Sequence, residues 1–79
     1  MKLTYDPRQN IGYIAFREKT DGVQTIHLSE ELNVDIAADG TVYGIELLNA
    51  NEQLAAGAVG KLVVENAATG RSTEIELSV

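Results

Sequence analysis

Residues 32–47 have the sequence LNVDIAADGTVYGIEL, in which two segments of alternating apolar and polar residues flank Asp39-Gly40. An Asp-Gly dipeptide tolerates the positive φ angles of tight hairpin turns, and alternation with a period of two is typical of β-strands. Closing a hairpin on this turn pairs Ile36 with Tyr43, Val34 with Ile45, and Leu32 with Leu47. The sequence therefore predicts an antiparallel hairpin with one apolar face.

The opposite face of this hairpin carries Asn33, Asp35, Gly44 and Glu46. Asp35 and Glu46 are diagonal neighbours, so the two carboxylates could share a proton or a hard cation, or they could simply keep the face solvated. Two acidic side chains are too few for a calcium site, and the spacing of an EF-hand loop is missing. A glycine inside a strand, as at Gly44, marks a bulge or the close approach of another backbone, which would make this face a docking surface.

Similar signals predict further hairpins on both sides of the central one. Strands at 2–5 and 11–17 flank a turn at 6–10, where Asp6 and Asn10 can bond the local backbone. A five-residue loop at 19–23 would then pair Phe16 with Ile26 and Ile14 with Leu28. Near the C-terminus, strands at 60–66 and 72–79 flank a loop at 67–70, which pairs Leu62 with Ile75, Val64 with Thr73, and Lys61 with Glu76.

A short helix is predicted between the central and the C-terminal hairpins. Asn49 precedes Glu52 by three residues, an arrangement that resembles a capping box, and Gly57 can end the helix after about two turns. So short a helix must dock on the sheet, here through Leu54 and its alanines. We therefore expect a mainly β (α+β) fold, an antiparallel sheet of about seven short strands in successive hairpins with one helix near residues 50–56. We expect a single domain over 1–79, with a core at 1–56 and a hairpin extension at 57–79.

Composition narrows the function classes. The chain has 79 residues, no cysteine, and twelve acidic against six basic residues, for a formal charge of −6. This charge repels a phosphate backbone, so we expect no direct nucleic-acid binding. The first residues, MKLTYDP, lack the apolar segment of a signal peptide, and no apolar stretch approaches a membrane span of about 20 residues. We expect a cytoplasmic protein without membrane contact, whose small core makes oligomerisation an open possibility.

Three segments carry a resemblance to a known family. These are the opening MKLTYDP at 1–7, GYIAF at 12–16, and above all VDIAADGTVYGIELLNA at 34–50. In order and spacing they resemble the YuzE-like family of small bacterial proteins of unknown function, over about residues 1–56. The resemblance implies a compact, mostly antiparallel sheet with a short helix, and an antitoxin-like or partner-binding role, but it transfers no catalytic residue. The hairpin predicted after Gly57 departs from the family pattern.

Residues that could support catalysis are few. His27 is the only histidine and is expected on a polar strand face, either solvated or acting as a base or pH sensor, with Arg17 and Glu18 as candidate partners. Tyr5, Tyr13 and Tyr43 could form a stacking surface, although core positions suit them as well. The chain has no phosphate-binding glycine motif and no nucleophile motif, so we expect a protein without enzymatic activity, cofactor or metal site.

Two hypotheses of function remain. The first is an interaction module that binds a small basic protein partner or associates with itself as a dimer, through exposed sheet edges and charge. The second is a small-molecule binder or weak enzyme with a pocket between sheet and helix, lined by Tyr43, Leu47 and Leu54, or at a dimer interface. Asp35, Tyr43, Gly44 and Glu46 are the candidate binding residues.

Overall fold

The computed structural model describes residues 1–55 and 60–77. The elements are β1 (Lys2–Asp6), β2 (Ile11–Ala15), β3 (Gln24–Ser29), β4 (Leu32–Ile36), β5 (Val42–Leu48), α1 (Ala50–Ala55), β6 (Lys61–Glu65) and β7 (Ser72–Glu76). Strands β1 to β5 form one sheet in the order β1-β2-β5-β4-β3, and β6 and β7 form a separate two-stranded sheet. All pairings are antiparallel. The mainly β class with one short helix is confirmed, but the strands are divided between two sheets.

The central hairpin, β4–β5, has the predicted register over most of its length. Leu32 pairs with Leu47 and Val34 with Ile45. The pairing predicted between Ile36 and Tyr43 is wrong, because Ile36 lies opposite Val42 and the register shifts between Asp35 and Ile36.

The shift has a local cause at the turn. The Gly40 amide donates to the Ala37 carbonyl, the Ala37 amide donates to the Thr41 carbonyl, and Gly40 adopts a φ of 90°. The turn therefore has three residues, 38–40, instead of the expected two. The extra loop residue displaces the register by one position, and a β-bulge at Tyr43 restores it before Gly44 reaches Asp35.

Strand β2 pairs with β5, and not with β3 as predicted. Ile14 lies between Leu3 of β1 and Ile45 of β5, so the expected pairs of Phe16 with Ile26 and Ile14 with Leu28 do not form. This order places Ile14 in an apolar row inside the sheet, which a local turn signal cannot reveal. Residues 16–23 then connect β2 to the far edge of the sheet, where β3 pairs only with β4 through a two-residue turn at 30–31.

Helix α1 is fixed at its start by the first turn of the chain. The predicted helix is confirmed over Ala50–Ala55. The remainder of the prediction, Ala56 and a helix end at Gly57, lies outside the described residues. Asn10 does not bond its local backbone as expected. Its side chain accepts from the Asn51 amide at 2.8 Å and its carbonyl from the Ala50 amide at 3.0 Å. The helix docks on the sheet where a Cβ on Gly12 would contact both Ala50 and Leu54.

Strands β6 and β7 have the predicted register, with Leu62 opposite Ile75, Val64 opposite Thr73, and Lys61 opposite Glu76. The ammonium group of Lys61 bonds the diagonal Glu74 at 3.3 Å. Between this hairpin and the main sheet lies a cleft of about 430 Å³, lined by Met1, Leu3, Ile14, Leu54, Leu62, Ile75 and Leu77. The hairpin therefore lies over one end of the sheet and leaves a gap beneath it.

The described residues form very little closed core. Ala50 is the only buried hydrophobic residue among them, and no large side chain in residues 1–55 and 60–77 is fully buried. The molecule measures 37 × 34 × 20 Å, as expected of a slab dominated by one sheet. Within the same two ranges, no helix is long and apolar enough to cross a membrane.

Candidate functional site

The register gives the five-stranded sheet two chemically different faces. One face, here called the apolar face, carries a row of apolar side chains that crosses all five strands: Leu3, Ile14, Ile45, Val34 and Ile26. The other, here called the polar face, carries two polar rows, which include Gly44-Asp35-Thr25 and Tyr13-Glu46-Asn33-His27. Both faces follow from the strict alternation of side chains along each strand.

Asp35 is the centre of the polar face and is only 4% exposed. Its Oδ2 accepts a 2.6 Å hydrogen bond from the Tyr13 hydroxyl and lies 2.8 Å from the ammonium nitrogen of Lys19. Its Oδ1 accepts a 2.5 Å bond from the Thr25 hydroxyl. A buried carboxylate requires such partners, since an unpaired one would be strongly destabilising. We call Asp35 with Tyr13, Lys19 and Thr25 the Asp35 cluster.

Lys19 brings the connection between β2 and β3 onto this face. Its ammonium nitrogen lies 4.9 Å from the centre of the Tyr13 ring, in addition to its contact with Asp35. The side chain is 57% exposed, so its attraction to the carboxylate is partly screened by water. Lys19 therefore attaches the connection between β2 and β3 to the sheet through its contact with the buried Asp35 carboxylate.

These contacts shift the pKa values of the cluster in consistent directions. Burial acts to raise the pKa of Asp35, but hydrogen bonds from Lys19, Thr25 and Tyr13 outweigh it and leave that pKa below its ordinary value. The hydrogen bond to Asp35 raises the pKa of Lys19. Burial, followed by the bond to Asp35, raises the pKa of Tyr13. The folded state thus favours an ionised Asp35, a charged Lys19 and a neutral Tyr13.

Gly44 makes room for the Tyr13 hydroxyl. A Cβ built on Gly44 would overlap the hydroxyl oxygen and Cζ of Tyr13 and would lie 2.9 Å from the carbonyl oxygen of Ile14. As predicted, this glycine lies at a bulge, directly after Tyr43, and it also admits a side chain of its own sheet. Gly44 is therefore part of the Asp35 cluster.

Glu46 belongs to a second polar network on the same face. The side-chain nitrogen Nδ2 of Asn33 donates to Glu46 at 2.8 Å, and the side-chain oxygen Oδ1 of Asn33 lies 2.7 Å from Nδ1 of His27. Because that oxygen can only accept, Nδ1 of His27 carries the proton in this arrangement. His27 thus lies on the polar face as expected, with Asn33 as its partner. Asp35 and Glu46 are bonded to different groups, so this geometry does not make them a carboxylate pair.

The remaining chemistry of the polar face is limited. Among residues 1–55 and 60–77, no three His, Cys, Asp or Glu side chains are placed to hold a metal ion together. Tyr43 lies at the bulge, with the guanidinium carbon of Arg17 at 5.5 Å from its ring centre. The Tyr43 carbonyl accepts from the amides of Phe16 and Arg17, which fixes the start of the connection to β3. These contacts favour a structural role for the polar face.

The apolar face is the better candidate for binding. Ile26 is 44% exposed and Leu28 is 60% exposed, both on the edge strand β3. On the hairpin, Leu62, Val63, Val64 and Ile75 are exposed to a similar degree. The cleft between hairpin and sheet includes Leu54 of the predicted pocket, but its lining does not include Tyr43 or Leu47. The pocket predicted between sheet and helix, lined by Tyr43, Leu47 and Leu54, stays a prediction.

Sequence reasoning found part of the Asp35 cluster. It placed Asp35 and Gly44 on one face, but it did not connect them with Tyr13, Lys19 or Thr25. The hydroxyl of Tyr13 reaches Asp35 across 22 residues of sequence through the β2–β5 pairing, which was not predicted. Once that strand order is known, the glycine at position 44, opposite Ala15 and next to Tyr13 on the same face of β2, is the signal that identifies the cluster.

Comparison with known proteins identifies a family for the main sheet. Searches of curated proteins and of solved structures find no significant match. A family profile described as "Protein of unknown function (DUF2283)" matches residues 2–51. The match includes every strand of the five-stranded sheet and the whole Asp35 cluster, and it ends where α1 begins. The chain therefore belongs to the DUF2283 family of proteins of unknown function.

Proposed function

We propose that this protein is a non-enzymatic interaction module that binds another protein through the apolar face of its five-stranded sheet. The observation that carries the proposal is the imbalance between the faces: Asp35 on the polar face is buried, whereas Ile26 on the apolar face is 44% exposed. A sheet with one apolar face is stable when a second layer covers that face. Among the described residues, the hairpin lies over the end near Leu3, and α1 lies across the strand ends from Gly12 to the Glu31 carbonyl, which accepts from Gln53.

The chemistry of the polar face supports the same proposal. The carboxylates of Asp35 and Glu46 are engaged by neighbouring side chains of the sheet, and neither lines the cleft of about 430 Å³ beneath the hairpin. The edge of β3 is a weaker docking element, because the strand is bulged between His27 and Ser29 and ends at two glutamates. The face is thus a more favourable interaction surface than the edge.

Two partners are compatible with such a module, a second copy of the chain or a small basic protein. The formal charge of −6 favours a basic partner by electrostatic steering, and the resemblance to the YuzE-like family adds an antitoxin-like role to this alternative. Both partners would cover apolar side chains, so one experiment addresses the shared proposal.

The experiment measures binding of the dye ANS to the purified protein, with and without a lysine on the apolar face. Ile26→Lys should remove dye binding in a protein that presents the face, and it should reduce any oligomer that covers it. His27→Lys introduces the same charge one residue away on the polar face and should change neither. A wild-type protein that is monomeric and binds no dye would contradict the proposal.

A second candidate function is binding of a small apolar molecule in the cleft of about 430 Å³ between hairpin and sheet. All seven side chains that line this cleft are apolar, so its ligand would be a hydrocarbon chain or an uncharged ring. A panel of fatty acids and apolar metabolites tested by thermal unfolding would detect it, since a ligand that binds the folded state raises the melting temperature. No shift across the panel would exclude this candidate.

A further inference from the structure

We infer that the partner of the apolar face is a second copy of this chain, packed face to face with the first so that two sheets form a sandwich. This inference rests on the proposed function and names the partner of that same surface. The contact would centre on Ile26, Val34 and Ile45, here called the interface patch, which lie side by side on strands β3, β4 and β5.

The first argument is the area that the single chain leaves exposed. Its accessible surface is 5874 Å². A compact monomer of 8.5 kDa is expected to expose about 4,700 Å², so the excess is about 1,200 Å². Each partner in a stable protein interface buries about 800 Å² or more, and obligate dimers bury more than that. The excess over the whole chain therefore has the size that one subunit of a dimer contributes, and Ile26, at 44% exposure, is the exposed member of the interface patch.

The second argument is shape. The radius of gyration is 14.0 Å, whereas a compact chain of 79 residues is expected to have about 11.6 Å. The shortest dimension is 20 Å. Two sheets that pack face to face lie about 10 Å apart and share one layer of interdigitated side chains. A second slab on the open end of the apolar face would give a two-layer molecule of ordinary proportions.

The third argument is the placement of charge. No ionisable side chain belongs to the apolar row of Leu3, Ile14, Ile45, Val34 and Ile26, so two copies of an acidic chain can bring this row together without opposing their carboxylates. Asp35 and Glu46 lie on the opposite face, where they are hydrogen-bonded. A basic partner would need acidic groups at the contact, and the interface patch supplies none. In a two-fold symmetric dimer the same patch of both copies is in contact, so apolar side chains on one copy meet the same apolar side chains on the other.

The interface patch also lies outside the cleft that the described part of the hairpin forms with the sheet. The cleft under the hairpin is lined by Leu3 and Ile14 of the apolar row, but not by any residue of the interface patch. Helix α1 docks beside Gly12 and extends to the β3–β4 turn, where the Gln53 side chain donates to the Glu31 carbonyl, so it lies across the ends of the strands. Within residues 1–55 and 60–77, the cleft beneath the hairpin thus leaves the interface patch free for a second copy.

The test is sedimentation analysis over a wide concentration range, with ANS binding measured on the same samples. The wild type should sediment at twice the 8.5 kDa mass of the chain. Ile26→Lys should weaken the dimer at least about 100-fold, because an ammonium group would be buried in an apolar contact, and His27→Lys should leave it unchanged. Ile26→Thr, which keeps a β-branched side chain suited to the strand, should weaken the dimer less.

The possible outcomes separate this inference from the proposed function. A dimer that survives Ile26→Lys would overturn the inference, because the contact would then lie elsewhere. A wild-type monomer whose dye binding is lost in Ile26→Lys would also overturn it, while leaving the apolar face as an interface for a different protein. A monomer without dye binding would overturn both.

A second readout locates the contact directly. The described residues hold no free cysteine and the sequence has none, so Val34→Cys provides a single thiol at the centre of the interface patch. A short bifunctional thiol reagent should join two copies of this variant, as expected for a residue close to a two-fold axis. Asn33→Cys, on the polar face of the same strand, should not be joined. Equal cross-linking of both variants would contradict the inference.

Discussion

Two residues on opposite faces of the five-stranded sheet depart from the usual relation between polarity and burial. On the polar face, Asp35 is 4% exposed and receives hydrogen bonds from three side chains. On the apolar face, Ile26 of the edge strand β3 is 44% exposed, and Leu28, at the bulge of the same strand, is 60% exposed. A buried polar group is fully satisfied, while large apolar side chains face solvent. This difference motivates the proposal that another molecule covers the apolar face.

The largest expected effect tests how tightly the polar face is packed. Gly44→Ala should lower the free energy of unfolding by about 3 kcal/mol, because the new methyl group would overlap the Tyr13 ring and press on the Ile14 carbonyl. Chemical denaturation measures this change. Gly12→Ala is the matched control on the apolar face, where the added methyl would contact Ala50 at 3.4 Å and Leu54 at 3.6 Å. Equal losses of unfolding free energy in Gly44→Ala and Gly12→Ala would show that the two glycine positions are packed equally tightly.

The next effect tests the hydrogen bonds of the buried carboxylate. Asp35→Asn replaces one acceptor oxygen by a donor, so it should leave a buried donor without its partner and cost about 2 kcal/mol of unfolding free energy. Glu46→Gln is the control, since Glu46 shares the face but accepts a single hydrogen bond from Asn33. Its loss in the same denaturation experiment should be smaller. A larger loss of unfolding free energy in Glu46→Gln than in Asp35→Asn would show that Glu46, and not Asp35, is the central carboxylate of the polar face.

The pH dependence of stability follows from the same cluster. Asp35 has a folded pKa below its ordinary value of 3.8, so its contribution is present above that pH and is lost as the pH falls through the lower folded pKa. Lys19 and Tyr13 have raised pKa values, so their contributions are complete below about pH 10 and are lost as the pH rises through those values. Denaturation series at acidic and alkaline pH measure both limits. At acidic pH, the slope of the unfolding free energy against pH should be smaller in Asp35→Asn than in the wild type. An unchanged slope would contradict the assignment of this pH dependence to Asp35.

The smallest effect sharpens the role of Lys19. Lys19→Met keeps the length of the side chain but removes its charge, while Tyr13 and Thr25 still bond Asp35. Because Lys19 is 57% exposed, we expect the free energy of unfolding, measured by chemical denaturation, to fall by less than about 1 kcal/mol. Lys61→Met provides the comparison on the hairpin, where an exposed lysine pairs with Glu74, and its effect should be close to zero. A loss above that of Asp35→Asn would mean that the ion pair dominates the cluster.

Local patterns predicted the central hairpin, the C-terminal hairpin and the helix. Asp39-Gly40 predicted the turn of the central hairpin, but the loop has one more residue than expected. The alternation on both strands still gave the correct pairs at Val34 and Leu32, because the bulge at Tyr43 cancels the displacement. Burial of one face thus specifies the register more strongly than the turn does.

Long-range pairing was the part that local patterns could not supply. The chain from β2 passes β5 and β4 before it reaches β3, and the Asp21-Gly22 signal within this connection suggested a hairpin that does not form. The Asp35 cluster depends on that strand order, since Tyr13 reaches Asp35 across β5. Asp35 and Gly44 could therefore be selected from the sequence, whereas their partners Tyr13, Lys19 and Thr25 could not.

The most direct test of the central claim is NMR measurement of isoleucine methyl groups with a soluble paramagnetic probe. In the wild-type protein at high concentration, the methyl groups of Ile26 and Ile45 should be shielded from the probe, although Ile26 is 44% exposed in a single chain. Dilution below the dissociation constant of the dimer should expose them. Strong relaxation of the Ile26 methyl groups at every concentration would contradict the claim that a second copy covers the apolar face.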